Sequence, residues 1–82
     1  MFELDELKRR ILEFLGKNSE KPTGEVYLAV KDIENSSDKV RYRLFTLAAD
    51  GLVERRVVTP KVVMWHLTAK GKEILKTQQH DQ

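Results

Sequence analysis

Apolar residues recur along the first third of the chain at helical spacing. Leu4, Leu7, Ile11, Phe14 and Leu15 fall at i, i+3, i+7, i+10 and i+11, the stripe of an amphipathic helix that stops at Gly16. Lys8, Arg9 and Glu13 face away from that stripe. KNSEKP (17–22) is polar and closes on Pro22, which is turn chemistry. Thr23 stands where it can cap a second helix running to about Lys31, with Val26, Ala29 and Val30 as its inner edge. A short connection, Asp32 to Asn35, leads into the best-delimited stretch of the chain, SSDKVRYRLFTLAADG (36–51). At about 100° per residue Val40, Leu44, Leu47 and Ala48 share one side of a third helix. Arg41, Tyr42, Phe45, Thr46 and Ala49 fall mostly on the other side, with Asp38 and Lys39. Ser36 or Ser37 can cap its start, and Gly51 sits where a residue of positive φ would end it. A solvated helix needs no Tyr or Phe on its wet face. One that touches base edges, or docks on a partner, has a use for both.

After Gly51 the period changes from 3.6 to 2. LVERRVV (52–58) and VVMWHL (62–67) are rich in β-branched residues and are joined through Thr59-Pro60-Lys61. Pro60 cannot donate to a strand ladder, so it belongs at the tip of a hairpin. Val63, Trp65 and Leu67 share one face, opposite Val53 and Val57, while Glu54, Arg56, Met64 and His66 take the other. Thr68 can cap a last helix, AKGKEILK, with Ile74 and Leu75 as its apolar contacts. Gly71 inside that helix costs ~1 kcal/mol relative to Ala, so a short or frayed element is expected. The pattern predicts an α+β domain over residues 1–76 and a flexible tail over 77–82, with no internal repeat and no linker.

Composition narrows the function. The 82 residues are 40% apolar and 34% charged, which allows one modest core and excludes a disordered chain. No run approaches the ~18 apolar residues of a membrane span, and none resembles a signal peptide. Cysteine is absent, which removes disulfides and thiolate metal sites and suggests a cytoplasmic protein. The net charge of +2 is unevenly spread. Residues 1–35 hold six Lys/Arg against eight Asp/Glu; residues 36–82 hold nine against five. The basic half begins at the third helix, which suits a polyanion on one face. His66 and His80 are solitary, with no H-x₃-H spacing, so no metal or other cofactor is expected. Nothing resembles a catalytic triad, a Gly-rich phosphate loop or paired carboxylates at a cleft, and the core is too small for a usual ligand pocket. The chain reads as a non-enzyme with no small-molecule ligand.

Two short helices joined by a tight turn, then a hairpin, make a helix-turn-helix with a wing. The run Val40, Arg41, Tyr42, Leu44, Leu47, Gly51-Leu52-Val53, followed by Leu67-Thr68-Ala69-Lys70-Gly71, resembles the winged-helix transcriptional regulators of prokaryotes. The resemblance covers about residues 23–75 and implies three helices, a two-stranded wing and a short C-terminal helix. It also implies sequence-specific binding of double-stranded DNA. The recognition helix 36–50 would enter the major groove, and the wing 52–67 would lie on the flanking backbone or minor groove. Phe45, Thr59-Pro60 and Trp65 are in addition similar to domains that bind left-handed nucleic acid. That narrower pattern lacks its helix Asn, replaced by Arg41, and its second Pro, replaced by Lys61. A third possibility is a winged helix that docks a protein partner in a larger assembly.

The candidate DNA contacts are Ser37, Lys39, Arg41, Tyr42, Phe45, Arg55, Arg56 and Lys61. An arginine at the start of a recognition helix can pair bidentately with guanine, whereas Lys39 fixes register on phosphate. Arg43 lies nearer the buried side and suits an ion pair with one of the first two helices. Trp65 suits the core better than a stacking platform. One small module covers few base pairs, so a homodimer is expected. Phe2, Leu12, Ile74 and Leu75 are the apolar candidates for its interface, the alternative being that the last helix folds back on the first within one chain.

Overall fold

The computed structural model describes residues 4–80 in the order α1 (Glu6–Gly16), β1 (Lys21–Pro22), α2 (Thr23–Val30), α3 (Ser37–Ala49), β2 (Val53–Thr59), β3 (Val62–Leu67) and α4 (Ala69–His80). The strands form one antiparallel sheet in the order β1-β3-β2. It is a winged helix-turn-helix: α2 and α3 are the helix pair, β2 and β3 the wing.

The core contains Leu7, Ile11, Leu12, Leu15, Val26, Val30, Val40, Leu44, Leu47, Leu52, Val53, Trp65 and Leu67. α1 packs against α2, α3, α4 and β3 together, so apolar contact wraps more of it than one stripe. That corrects Leu12, expected at the margin of the stripe and offered as a dimer contact. It has no exposed surface and cannot meet a partner. Phe14, counted within the stripe, is only half-buried. Asp5 caps α1, its carboxylate accepting from the Lys8 amide at 2.8 Å.

The segment 17–22 does more than turn. Lys21 and Pro22 pair with Trp65 and Met64 and add a third strand to the wing's hairpin. Pro22 stands on the sheet's outer strand, where its missing N–H costs no ladder bond. Thr23 does not cap α2; the N-cap position is Pro22, without a side-chain bond. The Thr23 hydroxyl instead accepts from the Trp65 indole N–H at 2.7 Å, which satisfies the one polar atom of a side chain 1% exposed.

The turn before α3 has no glycine and is held by side chains. Arg10 of α1 bonds Asp32 at 3.0 Å, the Tyr27 hydroxyl donates to the Asn35 carbonyl at 2.9 Å, and Glu34 accepts from the Ser36 amide at 3.1 Å. Ser36 is the N-cap of α3, accepting from the Lys39 amide at 3.4 Å.

At the far end of α3 Gly51 adopts φ 79°, and the Gly51 and Leu52 amides return to the carbonyls of Ala48 (3.0 Å) and Leu47 (2.9 Å). This pair of bonds closes the helix and turns the chain straight into β2. Thr68 completes the joint. Its hydroxyl donates to the Gly51 carbonyl at 2.7 Å and accepts from the Gly71 amide at 3.0 Å, which starts α4 as expected. α4 is not short; its 12 residues run to His80. The propensity argument failed at Gly71 because that glycine is a contact. A Cβ there would lie 2.1 Å from the Leu52 carbonyl oxygen.

Gly71 and Gly24 therefore test packing against propensity. Gly71→Ala raises helix propensity yet should lower the thermal midpoint, since the Leu52 backbone must shift. Gly24→Ala, with nothing within 4 Å of the new methyl, should raise stability by about 0.5–1 kcal/mol. Urea titrations of both variants check the opposite signs.

Candidate nucleic-acid interface

The inner edge of α3 fixes what its outer face presents. Val40, Leu44 and Leu47 are fully buried, so Ser37, Lys39, Arg41, Tyr42 and Phe45 must turn outward. Tyr42 is 63% and Phe45 45% exposed, unusual for residues that a solvated helix would replace with polar ones. Arg41 and Phe45, one turn apart, face the wing. The wing completes the opposite wall, because Arg55 pairs with Trp65 and so shares the face that Trp65 turns toward α3. Between the two lies a groove of about 340 Å³ lined by Arg41, Phe45, Arg55, Pro60 and Lys61, with the start of α2 at its end.

The aromatic contacts within this groove are specific. Phe45 meets Trp65 edge-on, with ring centroids 5.7 Å apart and an interplanar angle of 80°. The Arg55 guanidinium lies 5.3 Å from the centroid of the Phe45 ring. Phe45 thus fills the space between recognition helix and wing while keeping half its surface open. Trp65 is a wall and not a platform, since its ring is buried and its N–H is committed to Thr23.

Ion pairing sorts the arginines. Arg10 is held by Asp32 at 3.0 Å, Arg43 by Asp5 at 3.0 Å and Arg56 by Glu20 at 2.7 Å. Arg43 pairs with the acid that caps α1, as its position near the buried side suggested. Arg56 leaves the candidate group: it stands on the other face of the sheet from Arg55, in a two-bond fork with Glu20. Arg41 touches a carboxylate only loosely, Asp38 at 3.9 Å, with 56% of its side chain exposed. Among the described residues Arg55 has no carboxylate within ion-pair distance, and neither do Lys39 or Lys61. The groove therefore brings together Arg41, Phe45, Arg55 and Lys61, joined by Pro60 at the hairpin tip, while Ser37, Lys39 and Tyr42 are exposed on α3 without lining it.

Ile74 and Leu75 are half-buried against the core, and the Leu75 methyl would lie 3.1 Å from a Cβ at Gly16. α4 thus folds back on α1 within one chain, and part of both side chains remains outside. Phe2 lies outside the described residues. Among the described residues no helix is long and apolar enough to cross a membrane, and no three His, Cys, Asp or Glu side chains stand together as a metal site.

No protein-family model matches the sequence, and no curated protein is significantly similar to it. Solved structures do match. RosR of H. salinarum is 17% identical with a TM-score of 0.87, over 95% of this chain and 73% of that one. A MarR-family transcriptional regulator from Silicibacter pomeroyi is 28% identical with a TM-score of 0.79, over 90% of this chain and 49% of that one. ZitR of Lactococcus lactis in complex with DNA is 21% identical with a TM-score of 0.75, over 95% and 52%. The chain therefore spans about half the length of the latter two. These likenesses establish the winged-helix fold.

On the outer face of the sheet, the Arg56 hydrogen bond holds the Glu20 carboxyl below its ordinary pKa, with further help from the Arg56 and His66 charges against a desolvation that opposes them. A lowered folded pKa means stability present above the ordinary glutamate value, about 4.3, and lost as pH falls through the folded one. Arg56→Gln should move the Glu20 titration upward and flatten the loss of stability below about pH 4. Carboxyl-carbon NMR titrations with urea midpoints at neutral and acid pH check both.

Proposed function

We propose that the chain binds double-stranded DNA sequence-specifically as a small transcriptional regulator. α3 enters the major groove and the wing lies on the flanking backbone or minor groove. One observation carries the reading: among the described residues, the outward face of α3 and the facing wall of the wing hold Arg55, Lys39 and Lys61 with no carboxylate at ion-pair distance and Arg41 only 3.9 Å from Asp38, whereas Arg10, Arg43 and Arg56 are held closely by acids elsewhere. Uncompensated cations are what a polyanion attracts, and planar guanidinium is what base edges and phosphates fit. The likeness to regulators, ZitR in complex with DNA among them, agrees with it.

In this reading Arg41 reads a base, Lys39 and Lys61 fix register on phosphates, and Tyr42 touches phosphate through its hydroxyl or a thymine methyl through its ring. If ~4 phosphates are neutralised per protomer, the log–log salt slope of duplex binding should be near −4. Arg41→Ala should lose ~1–3 kcal/mol on the preferred site and relax discrimination at one base pair, while Lys39→Ala and Lys61→Ala weaken all sequences alike. Binding titrations on matched and mismatched duplexes measure this. Affinity that is flat in salt would remove the DNA reading in favour of a protein-docking winged helix, which should leave random duplex unshifted in a gel.

The same reading takes the protein as a cytoplasmic homodimer, because one recognition helix spans too few base pairs for a tight site. Two helices ~34 Å apart would then meet successive major grooves. Ile74 and Leu75, half-buried on α4, and Phe2 are the contacts left once Leu12 is assigned to the core. Sedimentation equilibrium at micromolar concentration should return twice the chain mass. A monomer mass unchanged by DNA would remove the dimer.

A further inference from the structure

Phe45 occupies an odd position for a DNA contact. Its ring lies between two walls, edge-on to Trp65 and under the Arg55 guanidinium, so two of its surfaces already have partners. Arg55 occupies an equally odd position for a strand residue. It is exposed, it lines the groove, and among the described residues no carboxylate orients it. A long side chain in that situation samples many rotamers, and ordering it on a phosphate costs entropy. The aromatic face removes much of that freedom before any ligand arrives, because a guanidinium over a ring is held by the quadrupole and by stacking.

We infer that Phe45 is a positioning residue: its ring carries Arg55 of the wing to the mouth of the groove, and so couples the wing's phosphate contact to the recognition helix. The inference rests on the DNA reading and deepens it. Phe45 itself touches no base. The ring is anchored from behind by Trp65, which is fixed in turn by its bond to Thr23, so the chain of support runs from α2 through β3 and α3 to the guanidinium. Arg41, four residues before Phe45 on the same helix, lines the groove beside it. A cation from the helix and one from the wing are thereby set at a fixed separation, which a strand backbone can match and a freely moving arginine could not hold.

The test is a neutral substitution with an electrostatic consequence. Phe45→Leu removes no charge, yet it should weaken duplex binding by the same factor as Arg55→Gln and reduce the salt slope by about 1, as loss of one phosphate contact does. The double variant should bind no worse than Arg55→Gln alone, because the two side chains act as one unit. Phe45→Tyr, which keeps the ring, should restore both affinity and slope. Independently of DNA, the Arg55 δ-protons should show an upfield ring-current shift that Phe45→Leu abolishes, with the thermal midpoint recorded as the folding control. Additive losses, or a Phe45→Leu variant whose slope equals that of the wild type, would show that Phe45 contacts the nucleic acid directly and overturn the inference. A wild-type chain that retains the ring-current shift but binds no duplex would instead overturn the DNA reading, and the phosphate role with it.

Discussion

The geometry of the groove between α3 and the wing depends on one joint, where α3 ends and the wing and α4 begin. Gly51 in the left-handed region lets the chain reverse directly behind α3, and Leu52 then returns its amide to Leu47. Three further interactions converge within two residues of that point: Thr68 bonds the Gly51 carbonyl, the Thr68 amide bonds the Leu52 carbonyl at 3.1 Å, and Gly71 packs on the same Leu52 backbone. A wing attached through a flexible loop would leave the groove between Arg41 and Arg55 without fixed dimensions. Here β2 starts two residues after the helix cap, and its first side chain, Val53, is already in the core. The angle between helix and wing is therefore a property of the core and not of a linker.

Local signals were legible in the sequence and long-range contacts were not. Periodicity located α3 to within a residue at each end, because its caps are local signals: Ser36 and Gly51 need only their near neighbours to act. The hairpin was equally plain, since a change of period and a proline at the tip lie within 16 residues. What escaped was long-range. The Trp65–Thr23 bond joins residues 42 apart and converts an apparent helix cap into a support for the core. The strand pairing of Lys21 and Pro22 is two residues long and carries no alternation to detect. Leu12 looked marginal on a helical wheel because a wheel assumes one packing surface, and α1 has neighbours on several sides. Gly71 looked like a weakness because propensity scales score an isolated helix, not one pressed against a carbonyl.

The candidate site shows the same division. Sequence pattern turned Lys39, Arg41, Tyr42 and Phe45 away from the buried edge, as it had only to apply a 3.6 period, and of these Arg41 and Phe45 line the groove. Alternation had already set Arg56 with Met64 and His66, away from Trp65, but it gave no sign that Glu20 would hold Arg56, so both arginines stayed candidates. That distinction is decided by Trp65, whose pairing with Arg55 selects the groove side, and by Glu20, which claims Arg56 on the other. The single residue step from 55 to 56 converts a groove-facing cation into a structural one.

Charge on this protein is thus better described by partnership than by amount. A net charge of +2 is too small to attract nucleic acid over any distance, and at physiological salt the field beyond ~8 Å is screened in any case. What remains effective is the short-range arrangement, in which several cations are withheld from carboxylates on one surface and supplied with them elsewhere. Asp5 and Asp32 each take an arginine out of play, and both also order a structural turn: the α1 cap in one case, the link into α3 in the other. The acidic first half of the chain therefore does not oppose polyanion binding. It takes up three arginines, Arg10, Arg43 and Arg56, and leaves Arg55 and Lys61 facing the groove. Winged helices at 17–28% identity share this fold, and the fold alone does not specify a ligand. In this chain the groove is distinguished by how the arginines are partnered: Arg10, Arg43 and Arg56 are held closely by acids elsewhere, Arg41 lies 3.9 Å from Asp38, and Arg55 has no carboxylate at ion-pair distance among the described residues.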